Sequence, residues 1–213
     1  MAKEISEELK QKASEHLDHL IDLMESIQLN KVTILTGGNG KGKSLIRKLI
    51  HFYIEDKLGI KNQKKRCVVQ VSMQLRTESR PEWGALSSMA HDWPTTPTSL
   101  STISLIKGMF SQSAGKYIVI DEPEIGMSAE MQLALCKKIN ETLPTLEDIK
   151  GVLIITHSQF IIKNLKHDEF VNIEGMTEDE WLNREIVPAD IDELDDFSTA
   201  LFREVESRQK KED

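Results

Sequence analysis

Hydrophobic residues follow two patterns along this chain: short apolar runs, typical of buried strands, and apolar positions spaced about 3.6 residues apart, typical of helices. The apolar runs predict strands over 32–36, 67–73, 116–121 and 151–156. Helical spacing predicts helices over 4–28, 44–58, 99–112, 128–143 and 197–209, with Ser128 as the capping residue of the fourth. Because strands alternate with helices, we predict an α/β sandwich with a mainly parallel sheet flanked by helices.

Composition narrows the class of protein. The chain has 213 residues, 39% of them hydrophobic, and a net charge of −8. It holds no apolar run of the roughly 20 residues that span a bilayer, and its polar N-terminus does not resemble a signal peptide. Two cysteines, Cys67 and Cys136, are too few for a cysteine-built metal site and fit free thiols. We therefore expect a cytoplasmic protein that does not bind membranes.

Domain organisation is predicted from the same patterns. Residues 1–30 are expected to form a helix packed on the core, residues 31–175 the core itself, and residues 176–213 an acidic helical extension. The overall acidity argues against broad nonspecific binding of nucleic acid, although it leaves room for a local basic patch.

A glycine-rich segment between the first strand and the second helix carries the strongest chemical signal. It matches Gly-x-x-x-x-Gly-Lys-Ser in full, and its predicted phosphate-binding residues are Gly37, Gly38, Asn39, Gly40, Lys41, Gly42, Lys43 and Ser44. Glycines let successive backbone N–H groups point at phosphate oxygens, and the following helix adds its positive end. Lys43 is expected to reach the β- and γ-phosphates, and Ser44 to hold Mg²⁺.

Acidic and polar residues follow two later strands. Asp121 and Glu122 come at the end of an apolar strand, where ligands bind in such sheets, and His157 follows the strand that ends at Thr156. Since neighbouring strand residues face opposite sides, we predict that Asp121 orients water on the metal while Glu122 acts as general base. His157 is predicted to donate a hydrogen bond to the γ-phosphate.

Taken together, these three motifs resemble the ATP-binding-cassette (ABC) ATPase superfamily. Asn39 in the loop, the triplet Asp121-Glu122-Pro123, and Ile-Thr-His-Ser at 155–158 carry the resemblance. The stretch Glu-Ile-Gly-Met-Ser at 124–128 is similar to the region that follows the acidic pair in soluble RecF-like and overcoming-lysogenization-defect-like members. The resemblance covers about residues 31–165. It implies a reduced ABC-type head of the P-loop NTPase fold that binds ATP and Mg²⁺ between two copies.

The resemblance also implies further site residues. Gln74, or failing that Gln70, matches the family's glutamine that contacts Mg²⁺ or the attacking water. The family's glycine-containing signature has no counterpart, because residues 96–102 contain no glycine. Ser99, which could cap the following helix, and Ser101 stand in that region, so they are the candidates for contacting a phosphate of the other copy.

Two main functions remain open. The first is an ATPase whose ATP-dependent homodimerisation changes the conformation of a protein partner. The second is a nucleotide-gated binding module with little turnover, which the missing signature glycines favour. A small-molecule kinase would share the phosphate loop but has no ready role for Asp-Glu-Pro-Glu at 121–124. A transporter ATPase is disfavoured by Glu124 and the missing signature. Relatives of this type serve DNA repair, phage functions and defence, so binding to DNA stays an open alternative.

Overall fold

The structure, a computed structural model, describes residues 6–57, 68–72 and 98–212. Its strands are β1 (Val32–Thr36), β2 (Val68–Ser72), β3 (Tyr117–Asp121), β4 (Gly151–Ile155) and β5 (Glu169–Asn172). Its helices are α1 (Glu7–Ser26), α2 (Lys43–Lys57), α3 (Thr98–Phe110), α4 (Ala129–Thr142), α5 (Gln159–Asn164), α6 (Glu178–Asn183) and α7 (Ile191–Glu212). None of these described helices is long and apolar enough to cross a membrane.

The chain forms two compact units. One, the helical unit, comprises Met1–Ile27, Gly37–Tyr53 and Asn172–Asp213. The other, the sheet unit, comprises Gln28–Thr36 and Ile54–Val171. The glycine-rich loop therefore belongs to the helical unit, whereas the ends of β1, β3 and β4 belong to the sheet unit.

The sheet has the strand order β2-β3-β4-β1-β5. Strand β3 pairs in parallel with both β2 and β4, and β4 pairs in parallel with β1. The central strands are buried on both faces, as in Ile118–Ile120 and Val152–Ile155, which explains why they read as continuous apolar runs. The predicted α/β class, with a parallel sheet flanked by helices, is confirmed and is consistent with a P-loop NTPase-like fold.

Two details of the helices differ from the prediction. Helix α7 begins at Ile191 rather than at residue 197, because the Asp190 carboxylate accepts from the backbone N–H groups of Asp192 and Glu193. The acidic residues that follow Asp190, at 192, 193, 195 and 196, therefore lie in the first turns of α7, where negative charge is favourable. Ser128 does occupy the N-cap position of α4, but its hydroxyl makes no capping hydrogen bond there. Strand β5 and helices α5 and α6 were not predicted.

In the helical unit, α1 packs along α7. The face of α1 that is buried consists of Ala13, Leu17, Leu20 and Met24, spaced as an amphipathic helix requires. Arg208 of α7 reinforces this pairing through Nη2, which donates to the Ser14 hydroxyl at 2.9 Å. The N-terminal and C-terminal helices thus form one packed layer.

Cys136, on α4 in the sheet unit, is a buried thiol that forms no disulfide within the described part of the chain. Burial raises its pKa to about 11, so it stays protonated and packs as a small apolar group. Cys67 lies outside the described residues.

Gly151 opens β4 directly opposite Tyr117. Its φ is +131°, and a Cβ added there would lie 2.6 Å from Tyr117 Cε2 and 3.0 Å from the Asn30 backbone nitrogen. The position therefore combines a backbone conformation that side chains disfavour with a lack of space.

We predict that Gly151→Ala lowers the free energy of unfolding by about 3 kcal/mol, since it adds steric overlap to backbone strain. The matched control is Gly115→Ala, which also has a positive φ (+71°) but no atom within 4 Å of the added Cβ, and should cost only about 1 kcal/mol. Urea unfolding of both variants measures the difference. Equal losses would show that the Tyr117 ring does not constrain β4.

Candidate functional site

The glycine-rich loop, within the helical unit, needs glycine at two positions. Gly40 and Gly42 have φ values of +72° and +89°, in the left-handed region. A Cβ at Gly42 would also lie 2.5 Å from Leu20 Cδ1 of α1. Asn39, Gly40 and Ser44 are exposed, so a ligand can reach the middle of the loop and the first turn of α2.

Lys43 is buried inside this loop. Its ammonium donates to the backbone carbonyl oxygens of Gly37 at 2.9 Å and Gly38 at 2.6 Å. These bonds hold the positive charge against the loop. A cation held by a loop with left-handed glycines, followed by an exposed Ser44 at the start of a helix, fits a bound phosphate chain.

Glu174, just after β5, contacts the same loop and was not predicted. Its Oε2 accepts from the Gly38 backbone N–H at 2.7 Å. The contact joins residues 136 positions apart, so no local sequence pattern announces it. It occupies a backbone donor of the loop with a carboxylate of this chain.

Helices α1 and α7 contact the loop from the side. His16 Nε2 lies 3.1 Å from the Lys41 carbonyl oxygen, and Lys41 Nζ lies 6.0 Å from the centre of the Phe197 ring. Burial lowers the pKa of His16, which favours the neutral ring and an Nε2–H that donates to the carbonyl. The terminal helices therefore take part in shaping the loop.

In the sheet unit, the carboxyl ends of β3, β4 and β1 come together in one row. The backbone N–H of Glu122 donates to Ile155 at 2.8 Å, and that of Thr156 donates to Leu35 at 3.1 Å. Neighbouring strands lie about 4.8 Å apart. The ends of the three strands therefore lie side by side, and Glu122 and Thr156 follow β3 and β4 at the same edge, as predicted.

Glu122 and His157 face each other at this edge. His157 Nε2 lies 3.3 Å from Glu122 Oε1, and the two side chains are 32% and 34% exposed. Glu122 has φ +47°, a left-handed conformation uncommon for a residue with a side chain. Its direction therefore follows from a turn after the strand rather than from strand alternation, which corrects the reasoning used for the sequence. Asp121, by contrast, is the last residue of β3.

Glu124 links the turn after β3 to the end of β4. One oxygen, Oε1, accepts from the Thr156 hydroxyl and from the His157 backbone N–H, both at 2.8 Å. Ser158, next along the chain, donates its backbone N–H to the Thr156 hydroxyl at 3.0 Å and accepts from the Ile161 N–H at the start of α5. From the sequence, Glu124 was used only to support the family resemblance, and these contacts were not predicted.

Other predicted site residues are less well defined. Gln74 lies outside the described residues, while Gln70 lies in β2, opposite Val119 of β3. Helix α3 begins at Thr98, so Ser99 lies inside the first turn rather than at the cap position, and the side chains of Ser99 and Ser101 lie outside the described part. The backbone N–H of Ser99 remains among the helix-terminal donors that lack an intrahelical partner.

Within the described residues, no three His, Cys, Asp or Glu side chains cluster as a self-contained metal site. Mg²⁺ in phosphate-binding proteins commonly takes one or two carboxylates together with substrate phosphates and water. Ser44 and Asp121 are residues of the right chemistry for that arrangement, and their metal role stays a prediction.

Comparisons with known proteins add little to this geometry. No family model matches the sequence, and no curated protein matches it. Among solved structures, the chain is similar to one of Drosophila ORC bound to AT-rich DNA and Cdc6, at 12% identity and a TM-score of 0.32. The match covers 82% of this chain and 30% of that chain. A similarity of this size carries no conclusion about function.

We predict that Lys43→Ala abolishes the binding of Mg-ATP, because the phosphates lose the cation that the loop holds. The matched control is Lys48→Ala, which removes one positive charge from the exposed side of α2, where Lys48 Nζ lies 5.4 Å from the centre of the Phe197-neighbouring Phe202 ring. Calorimetry on both variants measures the affinity. Unchanged affinity in Lys43→Ala would overturn the assignment of the loop.

Proposed function

We propose that this chain binds Mg-ATP on the loop 37–44 and hydrolyses it with the carboxylates at the end of β3, as an ABC-type ATPase that is not a transporter. The observation that carries hydrolysis is the 3.3 Å approach of His157 Nε2 to Glu122 Oε1. The lysine-bearing loop supports phosphate binding.

In the proposed reaction, Glu122 takes a proton from a water molecule as that water attacks the γ-phosphorus. The bond between the γ-phosphorus and the bridging oxygen of ADP breaks, and inorganic phosphate leaves. Lys43 and the backbone N–H groups of the loop compensate the negative charge of the phosphates. Mg²⁺, held by Ser44 and Asp121, would supply further positive charge to the β- and γ-phosphates.

His157 has two roles in this scheme. Its ring limits the positions that the Glu122 carboxylate can take, and it provides an N–H donor for the γ-phosphate. Both side chains are about one-third exposed, so water reaches them. The role of Gln74 stays a prediction derived from the family resemblance.

A binding module with little turnover is the second candidate. The absence of glycine from residues 96–102 favours it, since the family places a glycine-containing signature there. The loop and Lys43 would bind the nucleotide equally well in an ATPase and in a binding module. The two functions differ only in the rate of hydrolysis, which depends on Glu122.

We further propose that ATP brings two copies together. In the family, the signature helix of one copy completes the nucleotide site of the other, and we propose that α3, with Ser99 and Ser101 in the corresponding stretch of sequence, does the same here. A head-to-tail pair of this kind closes on itself with two-fold symmetry. The net charge of −8 on each chain opposes association, so the protein without ATP is expected to be mainly monomeric. A protein partner would respond to this association.

We expect Glu122→Gln to keep ATP binding and to lower the rate of phosphate release by about 10²–10⁴-fold, because the amide cannot accept the proton. Glu141→Gln, an exposed position on α4, removes the same charge elsewhere and should leave the rate unchanged. Steady-state phosphate release measures both. A Glu122→Gln protein as active as the wild type would exclude Glu122 as the base, whereas an inactive wild type would favour the binding module.

Association can be tested in the same background. Glu122→Gln with Mg-ATP should shift the mass measured by light scattering toward the dimer. Adding Ser99→Arg should prevent the shift by steric clash, and Ser111→Arg, just past the other end of α3, is the matched control. One unchanged mass with and without ATP would refute the dimer.

A further inference from the structure

A single carboxylate oxygen organises the edge of the sheet next to His157. Glu124 Oε1 receives two hydrogen bonds of 2.8 Å, one from the Thr156 hydroxyl and one from the His157 backbone N–H. Hydrogen bonds to an ionised acceptor are roughly twice as strong as neutral ones. Glu124 therefore ties the turn after β3 to the two residues that follow β4.

The Thr156 hydroxyl also accepts a hydrogen bond, from the backbone N–H of Ser158. A hydroxyl has one proton, and Thr156 gives it to Glu124, so a lone pair remains to accept the Ser158 backbone N–H at 3.0 Å. The Ser158 hydroxyl in turn accepts from the Ile161 N–H at 3.3 Å. Residues 156 and 158 have further contacts of their own, the Thr156 N–H to Leu35 and the Ser158 hydroxyl to Gln132. Glu124 is the acceptor that holds the backbone N–H of His157 between them.

The position of the His157 backbone determines where the His157 ring lies. The ring approaches Glu122, whose own backbone is held by the bond to Ile155 and by a left-handed φ. The hydrogen bond that Glu124 makes with His157 is to the backbone N–H of that residue. Any influence of Glu124 on the pair must therefore act through the position of the His157 backbone.

The other oxygen of the same carboxylate argues against a purely stabilising role. Glu124 Oε2 is buried and has no hydrogen-bond partner among the described residues. Burying a charged oxygen that lacks a partner is unfavourable, and an apolar side chain would avoid this cost. Such a carboxylate is best explained by what its bonded oxygen holds in place.

We propose that Glu124 is a positioning residue, which holds the backbone of Thr156 and His157 so that the His157 ring stays beside Glu122. This inference rests on the proposed hydrolysis. It assigns Glu124 no contact with substrate and no transfer of a proton. What it requires of residue 124 is an acceptor oxygen at the place of Oε1.

Two substitutions of Glu124, by glutamine and by leucine, show whether the acceptor oxygen or the negative charge of this side chain is required. Glu124→Gln keeps a carbonyl oxygen that can accept both bonds, so kcat should stay within about threefold of the wild type. Glu124→Leu keeps the approximate size and removes the acceptor, and kcat should fall about tenfold to a hundredfold while KM changes little. If the leucine variant does not fold in a urea-unfolding control, Glu124→Asp withdraws the acceptor by one methylene. Equal losses in Glu124→Gln and Glu124→Leu would overturn positioning.

A double-mutant cycle tests whether Glu124 acts through His157. In a His157→Ala background, Glu124→Leu should lower kcat by no more than about twofold further, because the ring that it positions is already gone. Fully multiplicative effects would mean that Glu124 acts elsewhere and would overturn the proposal.

Amide hydrogen exchange provides a readout that does not need turnover. Glu124→Leu should speed exchange of the His157 amide by about tenfold or more, while the β4 amides of Ile154 and Ile155 keep their protection and Glu124→Gln restores the wild-type rate. Unchanged exchange at His157 would refute the positioning contact. If the wild type has no turnover, the proposed function fails, whereas this measurement still decides whether Glu124 holds His157.

Discussion

Parallel pairing of β3, β4 and β1 is the constraint on which the candidate chemistry depends. In a parallel arrangement all carboxyl ends lie at the same edge, so residues that follow different strands become neighbours. These strands are buried on both faces and have no room for charged side chains along their length. Polar chemistry can therefore begin only where each strand ends, at Glu122 and at Thr156.

The edge has a specific geometry because its backbone is held from several directions. Glu122 adopts a left-handed conformation, which costs of order 1–3 kcal/mol and persists only where the surroundings impose it. The bond from its N–H to Ile155 and the double acceptance by Glu124 are such surroundings. Strain of this kind is often found at functional sites. Here the strained residue is Glu122, whose carboxylate lies 3.3 Å from His157 Nε2.

The helical unit shapes the loop by a different principle, steric exclusion. Leu20 of α1 leaves no space for a side chain at Gly42, and Leu194 of α7 lies 3.1 Å from the place of a Cβ at Gly40. Glu174 adds a negative charge at the Gly38 N–H. A phosphate chain bound there has to coexist with that carboxylate, in a protein that is already acidic overall.

The amino-acid sequence by itself determined the features that depend on neighbouring residues. Apolar runs predicted β1 at its observed bounds and the central strands β3 and β4 to within about one residue, because a strand buried on both faces carries almost only apolar side chains. Glycine spacing located the loop, since left-handed backbone needs glycine locally. Only the tertiary structure decided the roles of Glu124 and Glu174, the left-handed turn at Glu122 and the packing of α1 along α7. Each of these depends on groups far apart in the chain, 136 residues in the case of Glu174 and Gly38, and such contacts arise only when each unit has folded.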